Sequence, residues 1–468
     1  MLLVVMGSTL QLDPNLIRRY GGEGPRYTSY PTAMQFQEAL APGAYEAAVR
    51  GSAGALSNQP LAAYVHIPFC ISPCLYCACN KIITHKLDRI DSYVQRVLKE
   101  IALRAAYFSR ARPVDQMHFG GGTPSYLPIK SLMAIVDSLD AHFGLSQDDA
   151  RDFSIEVDPR GVDFEKLSAM THAGFNRISF GVQDFDLGVQ RAINRVQPFE
   201  LVEGVYGNAR RAGFESINLD LIYGLPRQTP GTFSNTLRHV IELRPDRLAV
   251  YGYAHMPSMF KAQKRIMADE LPSAGERIAL LQLAIETLTA AGYVYIGMDH
   301  FALPTDGLSL AKQNGTLHRS FQGYTTHAKR DLVALGVSAI GHIGDLYLQN
   351  FKTLKEYDAA VDRGVLPTQR GVHVGAEDRV RAQIIQQIMC LGYIDIRLIE
   401  SRFGVVFREH FAPEMSRLQG MASDGLVAIF PERVELSASG RFLMRNVAMV
   451  FDEYLAARNQ DRPLSRVV

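Results

Sequence analysis

Residues 64–81 of the sequence read YVHIPFCISPCLYCACNK and place Cys70, Cys74 and Cys77 in the spacing CxxxCxxC. Three thiolates within eight residues can bind three irons of a cubane cluster and leave the fourth iron open. The amino and carboxylate groups of a chelating amino acid can bind together at such an open iron. The spacing therefore predicts a [4Fe–4S] cluster that binds a reactant, whereas a closed four-cysteine site would only transfer electrons.

Structural zinc is the alternative for these cysteines. Zinc sites favour paired CxxC units or added histidines at longer separations, and no second pair follows in the sequence. His66 is near the cysteines, but it is equally well explained as a packed residue at the end of a strand. Cys79 lies two residues after Cys77, where it cannot easily reach the same cubane, so we expect it not to be a ligand. Cys390 falls in an apolar helical pattern typical of a small buried residue.

The overall composition indicates an ordinary globular protein. Hydrophobic residues make up 47% of the chain and charged residues 21%, which is typical of globular proteins. The 49 Lys and Arg residues nearly balance the 48 Asp and Glu residues, so the chain has no large positive net charge that would attract nucleic acid. The start, MLLVVMGSTLQLD, has no basic region or cleavage site of a signal peptide, and no run approaches the roughly 18 apolar residues of a membrane span. Four of the five cysteines lie within ten residues, which suits a reducing compartment. We expect a cytoplasmic protein with no nucleic-acid binding and no membrane insertion.

From about residue 61 to residue 253, short apolar runs alternate with helical segments such as Asp88–Ala106. This alternation predicts a parallel sheet, because parallel neighbours need crossover connections. Six units predict an α/β fold with a partial (β/α)6-type barrel, and a doubly wound sheet is the alternative. The strand-like runs are Tyr64–Ile67, Gln116–Phe119, Phe153–Val157, Arg177–Val182, Ser216–Ile222 and Arg247–Tyr253.

We expect three regions. Residues 1–50 contain the aromatic stretch GPRYTSYPTAMQF and form an arm docked on the barrel, and residues 51–365 form the barrel with its extensions. Residues 366–468 form a mainly helical, winged-helix-like C-terminal domain, with helices at Asp378–Leu391 and Ser439–Leu455 around a hairpin of Leu426–Phe430 and Val434–Leu436. This domain has no basic recognition stripe, which favours a packing role over DNA binding.

Polar and small residues end several predicted strands. Residues 120–124, GGGTP, follow the second strand, where glycines let the backbone approach a ligand. Glu156, Gln183 and Asp220 end the third, fourth and fifth strands. Because the carboxyl ends of parallel barrel strands meet at one mouth, we expect these groups to form a ligand site beside the cysteine segment.

The cysteine spacing, with the aromatic Tyr76 before Cys77, resembles the signature of the radical S-adenosylmethionine (SAM) superfamily. The whole chain resembles the oxygen-independent coproporphyrinogen III oxidases (dehydrogenases) of bacterial haem synthesis. Ala78 stands where the family pattern has Gly, and the extreme N-terminus is extended. The shared motifs, in order, are PRYTSYP, CACNK, GGGTP, IEVDPR, FNRISFGVQDF, INLDLIYGLP, GMDHFA, HRSFQGYTT, LGVSAI and the terminal SRVV.

The resemblance implies a reaction and its cofactors. A reduced [4Fe–4S] cluster cleaves SAM to a 5′-deoxyadenosyl radical, which removes hydrogen from the β-carbon of a propionate. Loss of CO₂ and an electron leaves a vinyl group, and two such events convert coproporphyrinogen III to protoporphyrinogen IX. The family also implies two bound SAM molecules, a low-potential donor such as flavodoxin or ferredoxin, and a monomer.

The resemblance also implies site residues. Those expected to contact SAM are Tyr64, Tyr76, Gly121, Gly122, Thr123, Glu156, Gln183, Arg195, Asp220, Ala254 and Ile340. A tetrapyrrole with four propionates needs cationic or hydroxyl groups around an apolar cavity, although solvated surface charges are an alternative interpretation of each. The substrate candidates are Arg26, Tyr27, Tyr30, Lys81, Arg319 and Gln322. We expect the arm to cover the barrel mouth and to present Arg26 to a propionate.

A haem-binding chaperone on the same scaffold is the main rival function, since a shared fold does not exclude it. Those relatives usually carry Phe where this chain has Cys79, and they lack the PRYTSYP arm. Both features favour the oxidase. A zinc-stabilised binding module is the more distant alternative.

Overall fold

The computed structural model describes residues 13–456 except residues 39, 42, 56–58, 110 and 329. Residues 1–12 and the terminal SRVV motif lie outside the described residues. The strands are β1 (Gln37–Glu38), β2 (Leu61–Ile67), β3 (Phe69–Cys70), β4 (Ile82–Ile83), β5 (Val114–Gly121), β6 (Asp152–Val157), β7 (Arg177–Gln183), β8 (Ser216–Tyr223), β9 (Arg247–Gly252), β10 (Val294–Gly297), β11 (His300–Ala302), β12 (His318–Ser320), β13 (Gly323–Thr325), β14 (Asp331–Leu335), β15 (Ile340–Ile343), β16 (Leu346–Asn350), β17 (Thr368–His373), β18 (Tyr393–Asp395), β19 (Val427–Ile429) and β20 (Arg433–Leu436).

The α-helices are α1 (Pro14–Tyr20), α2 (Ala44–Ala55), α3 (Leu87–Ala105), α4 (Ile129–Phe143), α5 (Phe164–His172), α6 (Leu187–Ala192), α7 (Phe199–Ala212), α8 (Pro230–Leu243), α9 (Ala274–Ala290), α10 (Gly307–Gln313), α11 (Leu354–Asp362), α12 (Ala376–Leu391), α13 (Ile396–Phe403), α14 (Phe407–His410), α15 (Ala412–Ser423), α16 (Ala438–Phe442), α17 (Met444–Met449) and α18 (Glu453–Ala456). In the described part of the chain, no helix has both the length and the apolar character needed to cross a membrane.

One large sheet organises the molecule. Strands β2, β5, β6, β7, β8 and β9 are parallel neighbours in that order, which confirms the six predicted units. Strand β14 continues the parallel run beyond β2. Antiparallel strands extend both ends, giving the order β1-β17-β16-β15-β14-β2-β5-β6-β7-β8-β9-β11-β10. The sheet is not closed, since β1 and β10 form its edges among the described residues.

The two faces of the parallel strands differ. One face carries apolar residues such as Val65, Phe119 and Leu219, which join buried residues of the surrounding helices in one core. The other face carries polar side chains. Glu156 of β6 interacts electrostatically with Tyr64 of β2 and Asp220 of β8, each two strands away. A parallel sheet buried between two helical layers is apolar on both faces, so this polar face is the lumen of a partial barrel and the doubly wound alternative is wrong.

A second core holds the C-terminal region. Strands β18, β20 and β19 form a small antiparallel sheet, and α12 confirms the predicted helix at Asp378–Leu391. The prediction of one helix over Ser439–Leu455 is wrong, because α16, α17 and α18 replace it and Leu443 interrupts it with φ −100° and ψ 27°. The apolar periodicity of this segment does not predict its long-range contacts. The Arg445 guanidinium donates hydrogen bonds to the carbonyls of Gly24 and Pro25 in the arm.

The three-region division stays a prediction. Two elements do not follow its boundaries: α2 runs across residue 50, and β17, which lies after residue 365, pairs with β16 of the large sheet.

Candidate active site

The predicted cysteine ligands lie on one loop at the carboxyl end of β2. Cys70 ends the short strand β3, which pairs with β4, and the loop between these strands carries Cys74 and Cys77. The backbone N–H of Leu75 donates to the carbonyl of Ile193 at 3.0 Å, and this anchors the loop to the barrel. Cys70 and Cys74 are buried, Cys77 is half-buried, and all three are free thiols.

Each of the three sulfurs accepts a hydrogen bond from a different donor. Thr123 Oγ1 donates to Cys70 Sγ at 3.3 Å, Arg195 Nη1 to Cys74 Sγ at 3.5 Å, and the backbone N–H of Cys79 to Cys77 Sγ at 3.4 Å. A hydrogen bond from Cys79 and the nearby ammonium of Lys81 lower the pKa of Cys77 to about 6, whereas burial raises the pKa of Cys70 to about 11. Such donors stabilise thiolates, the form that binds metals.

These thiols fit an iron–sulfur cubane better than a zinc ion. A zinc site needs ligands that converge on one point. Within the described ranges, no group of three or more His, Cys, Asp or Glu side chains is arranged to hold a metal ion. The ligands of a cubane bind separate irons and do not have to converge. The backbone N–H of Cys79 donates to Cys77 Sγ, and a hydrogen bond between the two side chains lowers the pKa of Cys77.

The glycine turn after β5 confirms the close approach expected of GGGTP. Gly121 has φ +117°, and a Cβ there would lie 2.6 Å from the imidazole of His66. A Cβ on Gly122 would lie 2.8 Å from the backbone of Pro68. The backbone N–H of Thr123 donates to the carbonyl of Phe69 at 2.9 Å. The turn therefore packs backbone against the loop that carries the cysteines.

Glu156 and Asp220 both lie in the lumen, as the strand pattern predicts. Glu156 accepts the backbone N–H of Gly121 at 3.0 Å, and its side chain is 42% exposed. Asp220 accepts from Ser179 Oγ at 3.0 Å and Asn218 Nδ2 at 2.8 Å. Burial, together with the negative charge of Glu156, raises the pKa of Asp220 to about 6. The two carboxylates thus provide acceptors for cationic or hydroxyl groups of a ligand.

Gln183 and Arg195 lie on the same side of the site. Gln183 ends β7 with φ +69° and is buried. Arg195 is also buried, and its guanidinium donates to the carbonyl of Gly181 at 2.7 Å and to Asp158 Oδ2 at 3.1 Å. Its Nε has no hydrogen-bond partner in the described part of the chain. Arg195 thus has a carboxylate partner inside the protein and one donor left over.

Sequence reasoning missed a chain of imidazoles in the lumen. Tyr64 Oη lies 3.0 Å from His66 Nδ1, and His66 Nε2 lies 3.0 Å from the carbonyl of Asn80 in the cysteine loop. The ring of Tyr64 stacks on His118 with centroids 5.8 Å apart, and His118 Nε2 lies 3.3 Å from Glu156 Oε1. The period-two alternation of β2 and β5 was the available signal, because it puts these side chains on the lumen face.

Gln263 forms hydrogen bonds with two more of the residues predicted to contact SAM. Its Nε2 donates to the carbonyls of Tyr76 at 3.0 Å and Ala254 at 3.1 Å. Ile340 lies on β15 and pairs with Gln349 of β16. Gln349 lines a cavity of about 550 Å³ beside the cysteine loop. Its other walls are Pro73, Cys77, Ala78, Cys79, Asn80, Lys81, Ile83, Met259, Phe260, Lys261, Ala262, Ser338 and Lys352.

The structure separates the arm candidates. The hydroxyl of Tyr27 donates to Asp452 Oδ2 at 2.9 Å, and that of Tyr30 accepts the backbone N–H of Glu453 at 3.1 Å. Both rings are buried in the C-terminal core, so neither reaches the lumen. Lys81 donates to the carbonyl of Cys77 at 2.9 Å and stays at the cysteine loop.

Arg26 and Arg319 both lie at the β9–β11 end of the lumen, near Tyr251. Arg26 forms an ion pair with Asp299, and its guanidinium lies 5.6 Å from the ring centre of Tyr251. Electrostatic interactions place Tyr251 among Asp220, Asp299, Arg26 and Arg319. We name this group, with His300, Gln322 and Tyr324, the arginine chamber. Sequence reasoning found Arg26, Arg319 and Gln322 but not Asp299 or His300, although both stand in the GMDHFA motif.

Comparisons with known proteins agree on a single family. The model of the radical SAM superfamily matches residues 64–240, and that of the HemN C-terminal domain matches residues 374–443. The oxygen-independent coproporphyrinogen III oxidase of Pseudomonas aeruginosa is 48% identical over 463 residues, covering 99% of this chain and 100% of that protein. The Escherichia coli protein of that name is 43% identical, covering 97% and 98%. A solved structure of coproporphyrinogen III oxidase (HemN) from Escherichia coli, a radical SAM enzyme, superposes with a TM-score of 0.89 at 42% identity and covers 96% of this chain and 100% of that one.

Proposed function

This chain belongs to the oxygen-independent coproporphyrinogen III oxidases of the radical SAM superfamily, and from this we propose that it oxidatively decarboxylates two propionates of coproporphyrinogen III to vinyl groups. The product is protoporphyrinogen IX. One observation carries the proposal: a free three-cysteine loop and an arginine-rich chamber lie at the same polar barrel lumen. The haem-binding chaperone is not favoured, because the oxidases match nearly the whole length, including the arm.

Cys70, Cys74 and Cys77 would hold the [4Fe–4S] cluster. When bound and reduced, this cluster supplies the electron that cleaves SAM to methionine and a 5′-deoxyadenosyl radical. The protein's own groups orient the reactants and limit the access of water. The half-buried position of Cys77 leaves the loop close to the surface, which supports electron delivery by a low-potential protein such as flavodoxin or ferredoxin.

We propose that SAM binds along the strand ends. Glu156 and Asp220 would accept hydrogen bonds from its amino and ribose groups, and the free Nε of Arg195 would bind its carboxylate. Tyr64, Tyr76, Gly121, Gly122, Thr123 and Gln183 would complete that site. Ala254 follows β9 and Ile340 lies on β15, beyond opposite ends of the run from β14 to β8, and this separation supports a second SAM molecule next to the first.

The substrate's four propionates match the charge of the arginine chamber. Arg26 pairs there with Asp299, and two nitrogens of the buried Arg319 guanidinium have no hydrogen-bond partner within the described residues, which favours binding of an anionic tetrapyrrole. Of the remaining candidates, Lys81 would act at the cluster loop. Tyr27 and Tyr30 would position Arg26 by fixing the arm to the C-terminal core.

We further propose a monomer in the cytoplasm, with the regions 1–50, 51–365 and 366–468 as arm, barrel and C-terminal domain. The five free cysteines support a reducing compartment.

The decisive experiment supplies anaerobically reconstituted, reduced protein with SAM and coproporphyrinogen III. We expect a divinyl product and two molecules of CO₂ for each porphyrinogen. The Cys74→Ala variant, assayed alongside, should form neither. Absence of divinyl product from the cluster-loaded protein would refute the function.

A further inference from the structure

The hairpin of β12 and β13 brings a buried guanidinium against β11. Arg319 of β12 is 3% exposed and lies 4.7 Å from the ring centre of Tyr324. That ring meets the imidazole of His300 edge to face at 5.2 Å, and His300 meets Tyr251 at 5.8 Å. Backbone hydrogen bonds to Gln386 of α12 hold Arg319 in place. The guanidinium is therefore fixed by its backbone and by ring contacts.

This cation has no anionic partner within the described residues. Nε and Nη1 of Arg319 are buried and make no hydrogen bond. Asp299, a carboxylate of the chamber, already pairs with Arg26. A buried guanidinium without a carboxylate is costly, because it has lost water and gained no equivalent charge. The arrangement is typical of a site that a ligand completes.

Two further buried polar atoms of the arginine chamber are also unsatisfied. Nδ1 of His300 and Nε2 of Gln322 are buried and have no hydrogen-bond partner among the residues described. Burial and the charge of Arg319 lower the pKa of His300 to about 3, so its imidazole is neutral and adds no further charge. The guanidinium and the amide N–H, together with the imidazole N–H in the tautomer that protonates Nδ1, are donors of the kind that a carboxylate oxygen accepts.

We propose that Arg319, His300 and Gln322 form a carboxylate-binding subsite at the β11–β12 end of the lumen. This subsite rests on the proposed function, and it would anchor one of the molecules that bind for that reaction. A propionate that is not undergoing reaction and the carboxylate of a second SAM molecule share the required chemistry. The experiment below distinguishes these two sources.

The test uses reconstituted holoenzyme with Arg319→Gln, which is similar in shape but neutral. Equilibrium dialysis measures the affinity for coproporphyrinogen III and, separately, the number of SAM molecules bound per cluster. If a propionate occupies the subsite, affinity for coproporphyrinogen III falls about ten- to a hundred-fold and the SAM count is unchanged. If SAM occupies it, the SAM count falls by one. The tetramethyl ester of the substrate, which has no carboxylate, should bind wild type and variant alike in the first case.

Two further variants control for the effect of a folding defect in Arg319→Gln. Arg238→Gln removes an exposed guanidinium from α8 and should change neither measurement. His300→Phe keeps aromatic contacts with Tyr251 and Tyr324 but removes the ring nitrogens, so it should weaken the same ligand several-fold even if Arg319→Gln does not fold. Unchanged substrate affinity and SAM count in these Arg319 and His300 variants would overturn the subsite. Wild-type holoenzyme that forms no divinyl product would instead overturn the proposed function.

Discussion

The backbone N–H of Gly121 donates a 3.0 Å hydrogen bond to Oε2 of Glu156, which ties the glycine turn after β5 to the end of β6. The same turn packs against His66, whose imidazole contacts the cysteine loop through the carbonyl of Asn80. The expected ligands of the cluster and the expected ligands of SAM therefore belong to one bonded unit.

Gly121→Ala should disrupt this unit. The substitution puts a Cβ at φ +117° and 2.6 Å from His66, so the backbone strain alone should cost about 1–3 kcal/mol of unfolding free energy. Chemical denaturation monitors the loss, and iron analysis reports on the cysteine loop. Gly161→Ala, where a Cβ would meet nothing within 4 Å, is the control. Equal stability of the two variants would contradict the packing argument.

Alanine at Cys70, Cys74 or Cys77 should abolish the brown chromophore and all SAM cleavage, because each thiolate would bind one iron of the proposed cluster. Cys79→Ala should retain the cluster, because the backbone N–H that donates to Cys77 Sγ at 3.4 Å is kept and only the side-chain hydrogen bond to Cys77 is lost. Iron and sulfide analysis of reconstituted protein checks both statements. An intact cluster in Cys74→Ala would show that the ligand assignment is wrong.

Glu156→Ala, Gln183→Ala and Asp220→Ala should separate SAM binding from cluster assembly. Loss of a hydrogen bond to a charged group costs about 1.5–3 kcal/mol, or roughly ten- to a hundred-fold in affinity. Iron content should stay near that of wild type. Glu165→Ala, at an exposed position in α5, is the matched control. SAM affinity equal to that of the control in all three variants would make these groups structural.

SAM affinity should fall as the pH drops through about 6. Asp220 has its pKa raised to about 6, chiefly by burial and then by Glu156. Below that pH the carboxyl becomes neutral and would accept weaker hydrogen bonds from the proposed SAM ligand. Asp220→Asn should bind SAM weakly at every pH and lose this step, whereas Glu156→Gln should keep a step at lower pH. SAM titrations between pH 5 and pH 8 test this, and an identical profile for wild type and Asp220→Asn would count against it.

Tyr27→Phe should destabilise the contact between arm and C-terminal core. The change removes the hydroxyl that donates to the buried Asp452 at 2.9 Å, and an unsatisfied buried acceptor costs about 1–3 kcal/mol. Thermal unfolding measures the loss, with the exposed Tyr107→Phe as control. Truncation of residues 1–31 is a poor test of a lid, because it also removes two rings from a core. Equal unfolding temperatures for the two Phe variants would show that the Tyr27 bond contributes nothing.

The barrel was predictable because its information is local. Each strand carries its own alternation, and the parallel topology brings Glu156 and Asp220 to one lumen without further assumptions. The arginine chamber was not predictable in this way. Arg26 and Asp299 lie 273 residues apart, and His300 reaches the lumen only because β11 folds back antiparallel to β9. Similarly, the helical periodicity of Ser439–Leu455 does not predict that Arg445 binds the arm.

Gln263 connects two sides of the barrel mouth, the cysteine loop and the segment after β9, through hydrogen bonds. Its side chain is fully buried, donates to the carbonyls of Tyr76 and Ala254, and accepts the backbone N–H of Met256 at 2.6 Å. The cysteine loop and the segment after β9 therefore cannot separate without breaking bonds to one amide. Any displacement of the segment 254–263 by an entering molecule is transmitted to Tyr76, the residue directly before Cys77.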